Sequence, residues 1–219
     1  MDGGADIIDV KEPDLGPLGR ASAATWKAIR ASLPTATPLS VALGELAELD
    51  MASIHADDFA CIAFQKVGLA RSTPDWPDRW ERVCRLSGRR TGWVAVIYSD
   101  WIEAGAPDPD PVVDVALNAS FCAGILVDSW NKGRPCSMVA DEAWQERISR
   151  VQASGRFVAL AGRLDCAAIR RLAPLHPDLF AVRGAACAGG DRRTGSVDAY
   201  RVARLLEAVR DQPRFLDPA

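Results

Sequence analysis

Trp93-Val94-Ala95-Val96-Ile97-Tyr98, the helical pattern of residues 111–121, and Gly124-Ile125-Leu126-Val127-Asp128 form the stretch on which the fold turns. Two runs of strand length, built from residue types that favour burial, flank one amphipathic segment of about three turns. Antiparallel neighbours can be joined by a tight turn, but parallel strands need a crossover of this kind. The stretch therefore reads as strand, helix and parallel strand.

The same unit recurs on both sides. Upstream lie Asp6-Ile7-Ile8-Asp9-Val10, Leu39-Ser40-Val41-Ala42-Leu43 and Ile62-Ala63-Phe64-Gln65-Lys66-Val67; downstream lie Phe157-Val158-Ala159-Leu160-Ala161 and Leu179-Phe180-Ala181-Val182-Arg183. Helical periodicity fills residues 21–33, 76–86, 141–153, 167–172 and 197–210. Seven strands alternating with helices predict an α/β fold, and a TIM-type (β/α)8 barrel is the nearest closed solution. The chain enters its first strand directly after Gly3-Gly4-Ala5, so the expectation is one (β/α) barrel domain over residues 1–219, N-terminally truncated and lacking the first strand and helix. Strands beside that gap would need covering.

Composition narrows the partners. With 219 residues, 48% hydrophobic and 25% charged, the chain can bury one substantial core. A net charge of −3 supplies no field for nucleic acid or an acidic membrane surface. No apolar run reaches the roughly 18 to 20 residues of a membrane span, and the first residues lack a signal-peptide pattern, so the expected location is cytoplasmic. Cys61, Cys84, Cys122, Cys136, Cys166 and Cys187 show no Cys-x-x-Cys or His-containing cluster; they read as buried or inert thiols rather than metal ligands or disulfides. His55, in a helical stretch, and His176, in a Pro-flanked turn, read as structural. A homo-oligomer is left open.

Only four of the 26 basic residues are lysines, namely Lys11, Lys27, Lys66 and Lys132. Arginine cannot form an imine, so a lysine kept against this bias points to amine chemistry. Lys27 follows Trp26 in a helical pattern and reads as surface. The others stand at or near strand ends, where (β/α) barrels place their active sites. Those ends read Asp9-Val10-Lys11, Gln65-Lys66-Val67-Gly68, Val127-Asp128-Ser129 and Val182-Arg183-Gly184. Period-two alternation puts Asp9 and Lys11 on one strand face. Lys11, Lys66, Asp128 and Arg183 come from alternate strands, which fill common interior layers. An unperturbed ammonium is neutral about 0.04% of the time at pH 7, so a nucleophilic lysine needs about 4 kcal/mol of help from burial or a second cation. The glycine-rich stretches Ala161-Gly162-Arg163 and Arg183-Gly184 onward to Gly195, with a helix start at Ser196, suit a phosphate.

Taken together, Gly4-Ala5-Asp6-Ile7-Ile8-Asp9-Val10-Lys11-Glu12-Pro13, Lys66-Val67-Gly68-Leu69, Ala159-Leu160-Ala161-Gly162, Val182-Arg183-Gly184-Ala185-Ala186-Cys187 and Gly190-Asp191-Arg192 resemble the (5-formylfuran-3-yl)methyl phosphate synthase family over nearly the whole chain. The resemblance implies a lyase that joins and dehydrates two glyceraldehyde 3-phosphate molecules, a phosphorylated triose, towards methanofuran-type one-carbon carriers. It implies Lys11 as Schiff-base nucleophile, Lys66 as general base, Asp9 and Asp128 as proton-transfer partners, and Lys132 as a substrate-binding or polarising group. Gly162, Arg183 and Gly184 would hold phosphate, and a mechanism like that of class I aldolases implies no metal or cofactor. Family members usually carry Leu-Asp-Thr and Lys-Asp-Gly where this chain has Val127-Asp128-Ser129-Trp130-Asn131-Lys132-Gly133, and a small Ser where it has Arg163. These departures bear on pocket shape. Two other readings stay open: another class I aldolase for a phosphorylated sugar, and a non-catalytic barrel subunit.

Overall fold

In the computed structural model, which describes residues 3–89, 91–134, 138–191 and 194–210, seven parallel strands pair in chain order. They are β1 (Ile8–Val10), β2 (Leu39–Glu45), β3 (Phe64–Gly68), β4 (Trp93–Tyr98), β5 (Cys122–Asp128), β6 (Phe157–Leu160) and β7 (Leu179–Phe180). The α-helices are α1 (Ala23–Ser32), α2 (Trp76–Leu86), α3 (Trp101–Ala104), α4 (Pro109–Asn118), α5 (Glu142–Ala153), α6 (Cys166–Leu172) and α7 (Ala199–Arg210). This is the α/β architecture expected from the alternating pattern.

Alternation along the strands sorts side chains onto two faces. Val41, Leu43, Val67, Ile97, Ile125, Val127, Val158 and Leu160 join one cluster with the helix residues Trp26, Trp80, Val113 and Ile148. Ala42, Val94, Val96, Tyr98, Leu126 and Ala159 form a second, smaller cluster on the opposite face. That face is concave. Phe64 opens β3 and Phe157 opens β6, three strands away, yet their rings meet edge to face with centroids 5.3 Å apart. At the other end, Arg183 just beyond β7 donates to the carbonyl of Lys11 just beyond β1, at 3.2 Å. The sheet therefore curls until its two edge strands approach one another.

Helix starts follow side-chain caps more closely than hydrophobic period. Ser22, Asp108, Asp141 and Asp165 each accept a backbone N–H at the start of α1, α4, α5 and α6. Asp108 followed by Pro109 starts α4 two residues before the apolar pattern does. The four-residue α3 is too short to show a period and went unanticipated. The helix expected from Ser196 begins at Ala199, because Val197 is engaged in an antiparallel bridge with Cys187. His55 is the N-cap of the one-turn 3-10 helix Ala56–Phe59, and His176 ends another in a left-handed conformation, φ 50°.

Cys84, Cys122 and Cys187 are buried, whereas Cys61 lies exposed in the turn before β3; Cys136 is outside the described residues. Among those residues no helix is long and apolar enough to cross a membrane.

Close strand approach makes one glycine critical. A Cβ at Gly124 of β5 would stand 2.4 Å from the Phe157 carbonyl oxygen and 2.7 Å from its ring. Gly124→Ala is expected to cost about 1–3 kcal/mol by overpacking, seen as a lowered midpoint in urea unfolding.

Candidate active site

β1, β3 and β5 bring charged groups to the concave face, because their neighbours in sequence are needed on the other side. Val10 packs in the helix-covered cluster, which turns Asp9 and Lys11 inward. Val67 does the same for Lys66. Registers Asp9↔Ser40 and Ala42↔Lys66 then set three inward residues of β1, β2 and β3 side by side.

Lys66 is 3% exposed. Its ammonium donates to Asp9 Oδ1 and to Ser40 Oγ, the latter at 2.9 Å. Burial pulls the Lys66 pKa down, and this outweighs the opposing pull of Asp9. Burial pushes the Asp9 carboxyl up, but the charges of Lys66 and Lys11 more than offset it, so Asp9 titrates below the usual carboxylate range. Asp9 is thereby ionised while Lys66 is an amine eased towards losing its proton.

Asp128 closes β5 and is 1% exposed. Its Oδ1 accepts from Ser129 N at 2.8 Å and from Lys132 Nζ, while Lys11 Nζ stands 3.9 Å from Oδ2. One carboxylate thus holds two amines. Burial raises its pKa, yet Lys132 and Lys11 bring the net value below normal.

The loop carrying Lys132 is fastened from several sides. Asp100 accepts Trp130 N at 2.6 Å and Asn131 N at 2.8 Å; Asn131 Nδ2 donates to Glu103 Oε1 at 2.7 Å; Arg163 Nη1 donates to the Lys132 carbonyl at 2.9 Å. Gly162, at φ 101°, lies against this loop, where a Cβ would come 3.1 Å from Ser129 Oγ. Gly184 begins a one-turn 3-10 helix, Gly184–Ala186, directly after Arg183. Arg183 reaches the Lys11 carbonyl, a backbone-holding contact that strand-end reading did not anticipate. Arg192 lies outside the described residues. Lys27 sits on the surface against Asp58, away from this cluster.

A family model described as 4-HFC-P synthase matches residues 1–206. The chain belongs to the 4-HFC-P synthase family. Among curated (5-formylfuran-3-yl)methyl phosphate synthases, it is 31% identical to that of Methanopyrus kandleri over 95% of this chain and 92% of the relative. It is 30% identical to that of Methanobrevibacter smithii over 94% of this chain and 90% of the relative. It is thus a member of an enzyme family. Among solved structures, phosphoribosyl anthranilate isomerase from Thermotoga maritima aligns with a TM-score of 0.60 at 15% identity, covering 96% of this chain and 91% of the other. 3-Hexulose-6-phosphate synthase from Salmonella typhimurium aligns with a TM-score of 0.60 at 17% identity, covering 94% and 88%. At such identities the likeness is one of fold, the TIM barrel.

Strand-end reading in this 4-HFC-P synthase family member passed over Ser40, Glu45 and Tyr98. Ser40 sits near the start of β2 in an apolar run and shows its use only once Lys66 is beside it. Glu45 is a strand-end residue by the same rule that marks Asp128, but β2 runs two residues beyond its apolar core.

Removing one partner of a buried charge group leaves the others uncompensated. Asp128→Asn is expected to destabilise the fold by about 3 kcal/mol near neutral pH. Since the wild-type carboxyl titrates below its unfolded value, its stabilisation is present above about pH 4 and lost as pH falls through the lowered folded value. Chemical unfolding from about pH 6 down to about pH 3 should therefore show the variant and wild type converging.

Proposed function

We propose that this family member joins two glyceraldehyde 3-phosphate molecules into (5-formylfuran-3-yl)methyl phosphate through a lysine Schiff base, in methanofuran-type cofactor biosynthesis. The observation that carries the reading is the convergence of three amines on two carboxylates, with Lys66 sealed against Asp9 and with Lys11 and Lys132 sharing Asp128.

Lys11 is 16% exposed at its side chain, so it remains open to a substrate carbonyl. Its amine adds to the triose aldehyde, and loss of water leaves a protonated imine. That cation acidifies the neighbouring C–H. Lys66, whose pKa burial depresses, takes the proton in its neutral form. The resulting enamine can expel phosphate from the adjacent carbon or attack the carbonyl carbon of a second aldehyde, and Lys132 polarises the carbonyl oxygen that takes up the displaced electron pair. Conservation of atoms requires two triose phosphates to release one inorganic phosphate and two waters as the furan forms. Asp9 and Asp128, both held ionised, position the amines and accept protons during turnover. In this reading Gly162, Arg183 and Gly184 hold the substrate phosphate, consistent with the usual barrel phosphate loops.

Borohydride reduction with glyceraldehyde 3-phosphate should fix a triose adduct on Lys11, located by peptide mass mapping. No adduct in a folded protein would sink the mechanism, and an adduct without any furan aldehyde product would point to a different aldolase. Lys11→Arg should abolish both adduct and product, since guanidinium forms no such imine. Lys66→Met should still form the adduct while slowing product formation about 10²–10⁴-fold, measured by product absorbance.

A further inference from the structure

Glu45 and Tyr98 form a buried acid pair on the concave face that none of the steps above employs. The β2–β3 register shifts between Ala42 and Glu45, bringing Glu45 opposite Gly68. Its carboxyl lies directly over that glycine, where a Cβ would come 2.1 Å from Oε2. Gly68 follows Lys66 by two residues on the same strand face, so the carboxyl stands about 6–7 Å rimward of the buried amine. Tyr98 Oη donates to Glu45 Oε1 at 2.7 Å, and Ala70 N donates to Oε2 at 2.9 Å. Tyr98 is the register partner of Asp128, which places its ring beside the other half of the site.

The pair is kept dry. Glu45 is 8% and Tyr98 1% exposed. Trp130 packs edge to face on Tyr98, and the Arg71 guanidinium lies 5.8 Å from the Trp130 ring centroid, itself paired with Glu48. The charged groups around the pair are the acidic Glu48, Asp100 and Asp128, with the Lys66 ammonium about 6–7 Å down the strand face and the Arg71 guanidinium beyond Trp130. Among the described residues Glu45 has no ion-pair partner, in contrast to Asp9 and Asp128. Burial raises the Glu45 pKa, and burial together with Glu45 raises that of Tyr98 well above normal. Two kinds of carboxyl therefore coexist here: those paired with lysines, whose pKa values are lowered, and one held by neutral donors, whose pKa burial raises.

Dehydration needs the second kind. A hydroxyl leaves carbon readily only as water, and Asp9 and Asp128, with lowered pKa values, are poor sources of the proton it needs. We propose that Glu45 and Tyr98 are the general-acid relay of this site: the Tyr98 hydroxyl, which rests on Glu45, turns to protonate the hydroxyl departing from the Lys11-bound intermediate as its oxygen takes up the proton of the Glu45 carboxyl. The C–O bond electrons leave with the oxygen as water, Lys66 gives up to solvent the proton it removed from carbon, and Glu45 takes one back, so each dehydration is proton-neutral. This rests on the Schiff-base reading above.

The test is Glu45→Gln in the full chain, with borohydride-trapped Lys11 adducts resolved by mass. Gln preserves the side-chain shape and an oxygen for Ala70, so a purely structural role predicts no change. A relay predicts that wild type yields adducts that have lost water, while the variant forms the first imine normally and yields dehydrated adduct about a hundredfold more slowly. Infrared difference spectra of substrate-free protein should also show a neutral carboxylic acid band at neutral pH that Glu45→Gln removes. A variant that dehydrates its adduct at the wild-type rate, or a wild type without that band, overturns the relay. Absence of furan aldehyde alongside an intact dehydration difference counts against the furan-forming reading and leaves the relay standing. Should Glu45→Gln fail to fold, Tyr98→Phe reads the same step and must show the same loss of dehydrated adduct.

Discussion

An ammonium group sealed into the concave face of a sheet is the constraint on which this structure depends. A lone charge transferred from water costs several kcal/mol unless it is paired and hydrogen-bonded. Lys66, 3% exposed, meets that demand with Asp9 from β1 and Ser40 from β2. Both partners lie on other strands, so the pairing register of three strands must be correct before the charge is compensated. The same burial that makes the contact obligatory lowers the Lys66 pKa and makes it useful as a base.

The rest of the sheet serves this arrangement through size. Small residues such as Ala42, Ala159 and Ala161 line the concave side, and large ones such as Trp26, Trp80 and Ile148 fill the layer between strands and helices. That inequality lets the sheet curl until Phe64 touches Phe157 at one end and Arg183 reaches the Lys11 backbone at the other. Strand ends that are far apart in sequence thereby share one rim. Folds of this kind host many chemistries because the rim can be rewritten without disturbing the layers beneath it. The solved structures of phosphoribosyl anthranilate isomerase and 3-hexulose-6-phosphate synthase share the architecture with this chain at only 15% and 17% identity.

The rim here bears two electrostatic environments a few ångströms apart. Lysines hold Asp9 and Asp128 ionised, whereas Glu45 shares only neutral donors, Tyr98 and the Ala70 amide. Opposite protonation preferences in neighbouring carboxyls are the physical requirement for moving protons in both directions within one site. Trp130 contributes from the loop after β5, where its ring screens Tyr98 while the backbone beside it, fixed by Asp100, holds Lys132 over Asp128.

Local pattern was enough for the strands, for most helix cores, and for the inward facing of Asp9 and Lys11, because alternation along a strand is a property of the backbone itself. Parallel pairing also followed, since parallel strands need crossovers and helical patterns separate most of the apolar runs; between β2 and β3 the crossover holds only 3-10 turns. The family motifs Asp9-Val10-Lys11, Lys66-Val67-Gly68 and Arg183-Gly184-Ala185 are likewise contiguous and so were readable. Other features had no local signature. Ser40 looks like an ordinary residue of a buried run until Lys66 stands next to it, and the hold of Arg183 on the Lys11 carbonyl exists only once the curl brings the edge strands together. Glu45 faces the site because of a register shift between two strands, which no single strand encodes. The sequence by itself determined which residues could carry charge inward; the tertiary structure decided which of those charges meet, because burial and pairing energies exist only between segments brought together by the curl of the sheet.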